Sequence, residues 1–338
     1  MKALVYTAPR RLELQDLPEP RLGPNECRVR VRAAGVCGSD LDGFLGRSKK
    51  RVPPLVLGHE FSGEIVETGT EISDFQVGDA VAVYPLVTCG QCIYCRSAQH
   101  QICQKRKIYG LDFHGALAEY VSAPRQCLFR LPAGMSFMEG ALVEPLANAL
   151  HAMLNCPIVE GQTGLVYGAG PIGLFIFLVA KYLGARRLAV VDLNPHRLRI
   201  LKEQGADLVV DASQQDPVES VLEWSEGRGV DFAVDAVGRA ICRQNTLACT
   251  APGGRIVWVG LGEDLCEIDS RAVVTRELEI KGSYAYGLQD FARSIAMIEQ
   301  KALPLASFVS ESPLERGQEV FEELASGNSS LMKSVLRI

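Results

Sequence analysis

The fold is decided by one stretch of the sequence, Leu165-Val166-Tyr167-Gly168-Ala169-Gly170-Pro171-Ile172-Gly173. An apolar strand leads into a glycine-rich turn, and a helix is predicted over Pro171–Leu183. Gly168 permits the tight turn, Gly170 lets a pyrophosphate approach the backbone, and Gly173 lets the helix pack on the sheet. The stretch therefore predicts a dinucleotide-binding turn rather than the glycine turn of an unrelated α/β protein.

An acidic residue stands where the ribose of such a dinucleotide would lie. Asp192 follows the next predicted strand, 19 residues beyond Gly173, and a carboxylate there accepts hydrogen bonds from ribose hydroxyls. Its negative charge would repel a 2′-phosphate, so we expect NAD rather than NADP. The residues expected to bind the cofactor are Gly168, Gly170, Pro171, Ile172, Gly173 and Asp192.

The surrounding sequence divides the chain into three segments. Strands and helices alternate through residues 147–285, which predicts an α/β domain with a parallel, doubly wound sheet. Its helices include Pro195–Gln204, which has proline in its first turn, and Pro217–Glu226, for which Asp216 is the predicted cap. Residues 1–146 hold short β-prone runs, Ala118–Ser122 among them, separated by glycine and proline turns, which predicts a mostly-β domain. The last segment, residues 286–338, has two helix-like stretches, Phe291–Lys301 and Leu314–Ser326, and ends in a predicted strand over Met332–Ile338.

Composition narrows the classes of function. The net charge of −5 argues against a nucleic-acid binder, which would carry a basic face. We expect no membrane span, because no apolar stretch is long and glycine-free enough. The start, Met1–Tyr6, lacks the apolar core of a signal peptide, so we expect a cytoplasmic protein. In such a reducing compartment, clustered cysteines among the eleven present indicate metal binding rather than disulfides.

Four cysteines form the pattern C-x2-C-x2-C-x7-C: Cys89, Cys92, Cys95 and Cys103. Four thiolates on one loop suit a closed tetrahedral zinc site with no position left for a substrate. We therefore predict a structural zinc lobe over residues 88–106. An iron–sulfur cluster also takes four thiolates and stays open as an alternative, as do four thiols without a metal.

A second set of candidate ligands precedes this lobe. Cys37 and His59 supply sulfur and nitrogen, and Glu60 or a distant carboxylate could supply oxygen. A catalytic zinc takes about three such protein ligands and keeps one position open. Asp40 is the candidate acceptor for the other ring nitrogen of His59. By spacing alone, these residues fit structural roles as well as metal binding. The cysteine cluster and the nucleotide turn in the same chain are what favour metal binding.

Taken together, these motifs resemble the zinc-dependent medium-chain dehydrogenase/reductase family over nearly the whole chain. The motifs are the C-G-S-D run at Cys37–Asp40, the G-H-E-x-x-G run at Gly58–Gly63, the four-cysteine lobe and the glycine turn. The resemblance implies a GroES-like β domain plus a Rossmann domain, with residues 286–338 returning to complete the first domain. It also implies a catalytic cleft between the domains.

The resemblance assigns roles to particular residues. Cys37 and His59 would bind the catalytic zinc, and Ser39 would be the hydroxyl that relays the proton. Glu144 stands in an E-P-L context, as in polyol and threonine dehydrogenases, where it shares the metal or its water with Glu60. The run that contains Asp192 and Arg197 is similar to NAD-dependent sorbitol dehydrogenases, which adds Arg197 to the residues expected to bind the cofactor. The implied cofactors are zinc and NAD, and the implied assembly is a homodimer or homotetramer.

The implied reaction is oxidation of a secondary alcohol of a polyol or polyol phosphate, as in sorbitol and galactitol-1-phosphate dehydrogenases. Ala285 replaces the arginine that contacts the polyol in sorbitol dehydrogenases, which argues against sorbitol itself. His114 is unusual after the lobe and is either a solvated loop residue or a substrate contact. A basic run, Arg47, Lys49, Lys50 and Arg51, is either a solvated loop or a contact for a substrate phosphate. A threonine-type amino-alcohol dehydrogenase and a non-catalytic dinucleotide-binding protein remain as alternatives.

Overall fold

The computed structural model describes residues 1–327 and 331–338 of the chain. Two compact units are present, one formed by Met1–Glu144 with Tyr286–Ile338 and one by Pro145–Ala285. We call the first the metal-ligand unit and the second the nucleotide unit. The expected combination of a mostly-β, GroES-like domain with a Rossmann domain is confirmed.

Short strands dominate the first 144 residues, as the glycine and proline punctuation predicts. The strands are β1 (Lys2–Ala8), β2 (Arg11–Asp16), β3 (Glu26–Gly35), β4 (Leu55–Val56), β5 (Glu60–Thr68), β6 (Ala80–Val83), β7 (Leu86–Val87), β8 (Lys107–Ile108), β9 (Tyr120–Pro124) and β10 (Leu128–Arg130). Between them lie short helices, α1 (Gly38–Phe44), α2 (Ile93–Arg96) and α3 (Phe137–Ala141). The strand predicted over 118–122 lies two residues later, at β9.

Strands and helices alternate in the nucleotide unit. Their order is α4 (Val143–Leu154), which begins in the other unit, β11 (Thr163–Tyr167), α5 (Pro171–Tyr182), β12 (Arg187–Asp192), α6 (Pro195–Glu203), β13 (Leu208–Asp211), α7 (Pro217–Trp224), β14 (Val230–Asp235), α8 (Ala240–Cys249), β15 (Thr250–Trp258), α9 (Ser270–Thr275) and β16 (Glu279–Gly282). The sheet order is β13-β12-β11-β14-β15-β16, with every neighbouring pair parallel. The strand order reverses beside β11, and ligands bind at such a point beyond the carboxyl ends of the strands.

Apolar burial holds this sheet together. Its core includes Leu165, Val191, Ala233 and Ile256 from four neighbouring strands. The helix α5 is apolar nearly all round and is buried from Gly173 to Ala180, as expected for a helix enclosed by its own unit. Within the described residues, no helix is both long and apolar enough to cross a membrane.

The chain end completes the metal-ligand unit. It adds α10 (Leu288–Glu299), β17 (Val309–Pro313), α11 (Gly317–Ala325) and β18 (Lys333–Arg337). Because β18 pairs with β3, the resulting sheet runs β10-β6-β5-β3-β18-β17, with β9 also paired to β3. The helix predicted over 314–326 is split, since Leu314–Arg316 forms a 3₁₀ turn ahead of α11. Further 3₁₀ turns lie at His100–Ile102, Arg125–Cys127 and Leu305–Ser307.

Candidate active site and dinucleotide site

Strand pairing brings together ligands that lie 22 residues apart in sequence. Strands β3 and β5 are antiparallel neighbours, and Gly35 at the end of β3 pairs with Glu60 at the start of β5. Cys37 follows the first strand and His59 precedes the second. The Cys37 thiol, a His59 ring nitrogen and a Glu60 carboxylate oxygen therefore lie within 4.8 Å of one another. This mixed sulfur, nitrogen and oxygen set suits a zinc ion with an open position.

Asp40 links two of these ligands from the first turn of α1. Its Oδ1 lies 3.4 Å from His59 Nδ1, and its Oδ2 accepts a hydrogen bond from the Cys37 backbone N–H at 3.3 Å. Burial alone would raise the pKa of Asp40, but His59 and Arg51 outweigh it and lower that pKa to about 2. Burial would lower the pKa of His59, yet Asp40 and Cys37 raise it well above its ordinary value. The site therefore favours positive charge, which a bound cation also provides.

Glu60 has a partner that the sequence motifs do not indicate. Its Oε2 forms a buried ion pair with Lys333 Nζ, which also donates to the Val36 carbonyl at 3.0 Å. The carboxylate reaches Lys333 on β18 across Gly35 on β3, where a Cβ atom would lie 2.0 Å from Glu60 Oε2. Glycine at that position is what lets the side chain cross the strand.

Glu144 lies in the first turn of α4 and is also buried. Its Oε1 accepts a hydrogen bond from the Tyr286 hydroxyl at 2.6 Å, and Tyr84 donates to the Tyr286 carbonyl at 3.0 Å. Burial raises the pKa of Glu144 to about 7, with Glu60 repulsion adding to the effect and His59 opposing it. The Glu144 carboxyl therefore interacts electrostatically with His59 and Glu60 of the ligand cluster, and the Tyr286 hydroxyl holds it in place.

The sequence indicates some of the residues that contact this site better than others. Lys333 is a charged residue inside an apolar terminal strand, which could have marked it as the partner of a buried carboxylate. Arg51 belongs to the basic run, but its side chain is turned inward against Ser39 and Asp40. His114 is exposed, and its Nδ1 accepts a hydrogen bond from the Val56 backbone N–H.

The four lobe cysteines converge on one point. Their Sγ atoms lie within 4.8 Å of one another, with Cys92–Cys95 at 3.5 Å, Cys89–Cys103 at 3.6 Å and Cys89–Cys95 at 3.9 Å. Tetrahedral zinc with Zn–S bonds of about 2.3 Å separates its sulfurs by about 3.8 Å, so the residues fit this metal. Backbone N–H groups of Gln91 and Cys92 lower the pKa of Cys89 to about 6, which favours the thiolate that binds metal.

The glycine turn also has the geometry that a dinucleotide needs. Gly168 has φ +97°, and a Cβ on Gly173 would lie 1.7 Å from the Gly168 carbonyl oxygen. A Cβ on Gly170 would meet only Arg197 Nη1, at 3.7 Å, so space is open above the turn. Pro171 and Ile172 begin α5, whose first turn faces this space with backbone N–H groups.

Asp192 lies beside the same turn. Its Oδ2 accepts from the Ala169 backbone N–H at 2.6 Å and its Oδ1 from Asn194 at 2.7 Å. A cavity of about 340 Å³ next to it is walled by the exposed apolar residues Leu193 and Ile241 and reaches Gly168. The nucleotide unit thus supplies an apolar slot, a fixed carboxylate and open space above the glycine turn.

Two family models match the chain, each in one region. An "Alcohol dehydrogenase GroES-like domain" matches residues 23–133, and a "Zinc-binding dehydrogenase" model matches residues 171–300. The chain belongs to the zinc-dependent medium-chain dehydrogenase family. The expected resemblance is therefore confirmed, and the protein is a zinc-binding dehydrogenase rather than a non-catalytic dinucleotide binder.

The relatives of this dehydrogenase differ in their substrates. It is 35% identical over 332 residues to L-threonine 3-dehydrogenase of Saccharopolyspora erythraea, covering 97% of this chain and 96% of that protein. It is 33% identical over 318 residues to D-arabitol-phosphate dehydrogenase of Enterococcus avium, covering 93% and 90%. A Sinorhizobium meliloti structure described as a zinc-binding dehydrogenase bound to NADP has TM-score 0.91 and 27% identity, with 100% and 99% covered.

Proposed function

We propose that this dehydrogenase oxidises a secondary alcohol of a polyol or polyol phosphate to the ketone, with NAD as hydride acceptor. The observation that carries the proposal is the convergence of Cys37, His59 and Glu60, with Glu144 buried nearby and the Ser39 hydroxyl two residues from Cys37. Zinc would be held by the first three residues, with Glu60 and Glu144 exchanging at one position.

The reaction needs one proton and one hydride to leave the alcohol. Zinc would supply the Lewis acidity that lowers the pKa of the substrate hydroxyl. Ser39 Oγ accepts the hydroxyl proton and passes its own hydrogen towards solvent. NAD would supply the nicotinamide carbon that accepts the hydride. Asp40 keeps the His59 ring oriented, because its Oδ1 faces Nδ1 and leaves Nε2 for the metal.

The proposed choice of NAD over NADP depends on Asp192. Both of its carboxylate oxygens are held by backbone N–H groups, which keeps the carboxylate at the end of β12, where we expect the adenosine ribose to bind. We expect Asp192→Ala to reduce the ratio of kcat/KM with NAD to that with NADP by roughly tenfold or more, since a repulsive charge is removed. An unchanged ratio would contradict this assignment.

A phosphorylated polyol is favoured by the basic loop. Arg47, Lys49 and Lys50 are exposed and follow directly after α1, the helix that begins at the candidate metal ligand Cys37. Lysine and arginine bind phosphate through charge-assisted hydrogen bonds. An amino alcohol is the second candidate, because the threonine dehydrogenase relative is as similar as the arabitol-phosphate one.

A screen of NADH absorbance tests the substrate class. The zinc-loaded enzyme is given sugar alcohols, their phosphates, inositols and L-threonine, each with and without a chelator. Faster turnover of a polyol phosphate than of its parent polyol supports the proposal, and equal rates remove the role of the basic loop. Turnover of L-threonine alone would establish the second candidate instead.

We also propose a cytoplasmic homodimer or homotetramer. The four lobe thiols bind metal only when reduced, which favours a reducing compartment. In the described sheet of the nucleotide unit β16 is an exposed edge strand, and the loop between β15 and α9 exposes Leu261 and Leu265. Unpaired sheet edges and exposed apolar side chains are features of self-association. Sedimentation velocity distinguishes the assembly from a monomer of 36.7 kDa.

A further inference from the structure

Arg51 is the one member of the basic run that points inward. Its side chain is 9% exposed, and its Nη2 donates a hydrogen bond to Ser39 Oγ at 3.0 Å. Its Nε lies 3.5 Å from Asp40 Oδ1, and that carboxylate is fully buried. The guanidinium therefore spans two residues of α1 that the proposed function places beside the metal.

Gly43 leaves room for the Arg51 side chain, and Ser48 holds the Arg51 backbone. A Cβ on Gly43 would lie 2.5 Å from Arg51 Cδ, so the glycine in α1 leaves the path along which Arg51 reaches Ser39. The loop is closed by Ser48, whose Oγ accepts from the Arg51 backbone N–H at 3.2 Å. A buried arginine is costly unless its charge is paired, and Asp40 supplies the opposite charge.

We propose that Arg51 is a positioning residue for the Ser39 hydroxyl; this rests on the proposed function, in which Ser39 relays the proton. A guanidinium only donates hydrogen bonds, so it fixes Ser39 Oγ as an acceptor and leaves the Ser39 O–H free to donate. The same contact stabilises the oxygen as its hydrogen departs, because hydrogen bonds from a charged donor strengthen when the acceptor gains negative charge. Phosphate contacts are then left to the exposed members of the loop.

Kinetics of four variants test this role. Arg51→Met is expected to lower kcat roughly tenfold or more with little change in the KM for NAD, because the proton relay is disturbed and the dinucleotide site is not. Arg51→Lys should recover part of the loss, since lysine keeps one charged donor. Ser39→Ala should lower kcat, and Ser39→Ala combined with Arg51→Met should lose no more than Ser39→Ala alone. The matched control is Arg199→Met, an exposed arginine on α6, which should leave kcat unchanged.

If the losses from Ser39→Ala and Arg51→Met multiply in the double variant, Arg51 acts independently of Ser39 and the inference is overturned. Zinc content is measured for each variant, and loss of the metal from Arg51→Met alone would also overturn it, because the arginine would then be supporting the ligands instead.

A second measurement does not require turnover. In ¹⁵N NMR spectra, the Arg51 guanidinium is expected to show separate, slowly exchanging Nη–H resonances, identified by their absence from Arg51→Met. They should broaden or merge in Ser39→Ala, which removes the acceptor. Unchanged resonances in Ser39→Ala would overturn the inference, whereas a wild-type enzyme that oxidises none of the screened alcohols would contradict the proposed function instead.

Discussion

At Gly170, we expect dinucleotide binding to require glycine although the fold does not. Its φ is −70°, which any residue adopts, and an added Cβ would meet only Arg197 Nη1 at 3.7 Å. The fold therefore does not require glycine there. A methyl group would fill the opening that a pyrophosphate needs, so we expect Gly170→Ala to weaken NADH binding roughly tenfold or more, about 1.4 kcal/mol. Fluorescence titration measures the affinity, and thermal unfolding should be unchanged.

Two other glycines provide the controls for that variant. Gly173→Ala puts a Cβ 1.7 Å from the Gly168 carbonyl oxygen, so it should destabilise the fold, on the order of 3 kcal/mol, as well as abolish binding. Gly282→Ala meets no atom within 4 Å and should change neither property. If Gly170→Ala bound NADH as tightly as the wild type, the turn would not be the pyrophosphate site.

Residue types and spacing predicted which side chains would come together, but not which distant residues contact those side chains and hold them in place. The pairs Cys37–His59 and Cys89–Cys103 follow from donor chemistry, and the structure brings the members of each pair together. The contact of Lys333 with Glu60 joins residues 273 positions apart, and Tyr286 reaches Glu144 over 142 positions. The first contact depends on which strands pair and on Gly35 lying between them, and the second on where a distant loop packs against α4. A local sequence pattern contains neither kind of information.

Element boundaries were predicted best where a chemical signal marks them. Proline at the first turn and Asn194 as cap fix the start of α6, and Asp216 accepts from two N–H groups at the start of α7. The predicted start of β9 lies two residues too early, because Ala118 forms only an isolated bridge, to Ala3, and pairing with β3 begins at Tyr120. The split of α11 from its 3₁₀ turn had no such marker in the sequence.

At the level of strands, Asp231 joins β14 to the start of β11. Its Oδ2 accepts from the Thr163 backbone N–H at 2.7 Å and from Thr163 Oγ1 at 2.8 Å, and Arg228 pairs with it. Burial would raise the pKa of Asp231, but Arg228 and the Thr163 bonds outweigh it and lower that pKa below its ordinary value of 3.8. The stabilisation by this ionised group is therefore present above pH 3.8 and is lost as the pH falls through the lower, folded-state pKa.

We expect Asp231→Asn to reduce the free energy of unfolding at pH 7 by roughly 1–3 kcal/mol, because an ionised acceptor of several bonds is lost. The variant should also lose less stability than the wild type on acidification below about pH 4. Urea unfolding at pH 7 and at pH 3 measures both effects. Asp264→Asn, at an exposed position of the same unit, is the control, and equal pH dependence in all three proteins would refute the role of Asp231.

We expect the cysteine lobe to depend on a bound metal for its structure. Strands β7 and β8 are two residues each and α2 is four, so this loop has little core of its own. We expect Cys103→Ser to lose one zinc per chain and to open residues 88–106 to limited proteolysis, because three thiolates bind the ion more weakly. Atomic absorption counts the metal, and Cys266→Ser is the matched control. If the wild type instead contains iron and shows visible charge-transfer absorption, the four cysteines hold an iron–sulfur cluster rather than zinc.

On the scale of the whole molecule, the candidate metal ligands and the glycine turn belong to different compact units. Removing a metal ligand should therefore leave dinucleotide binding intact. We expect Cys37→Ser to lower turnover to background and the zinc content from two ions to one, because serine is a far poorer zinc ligand than a thiolate. The Kd for NADH should stay within about twofold of the wild type, less than 0.5 kcal/mol. Full activity with one zinc per chain would remove Cys37 from the reaction, and loss of NADH binding would show that the two sites are energetically coupled.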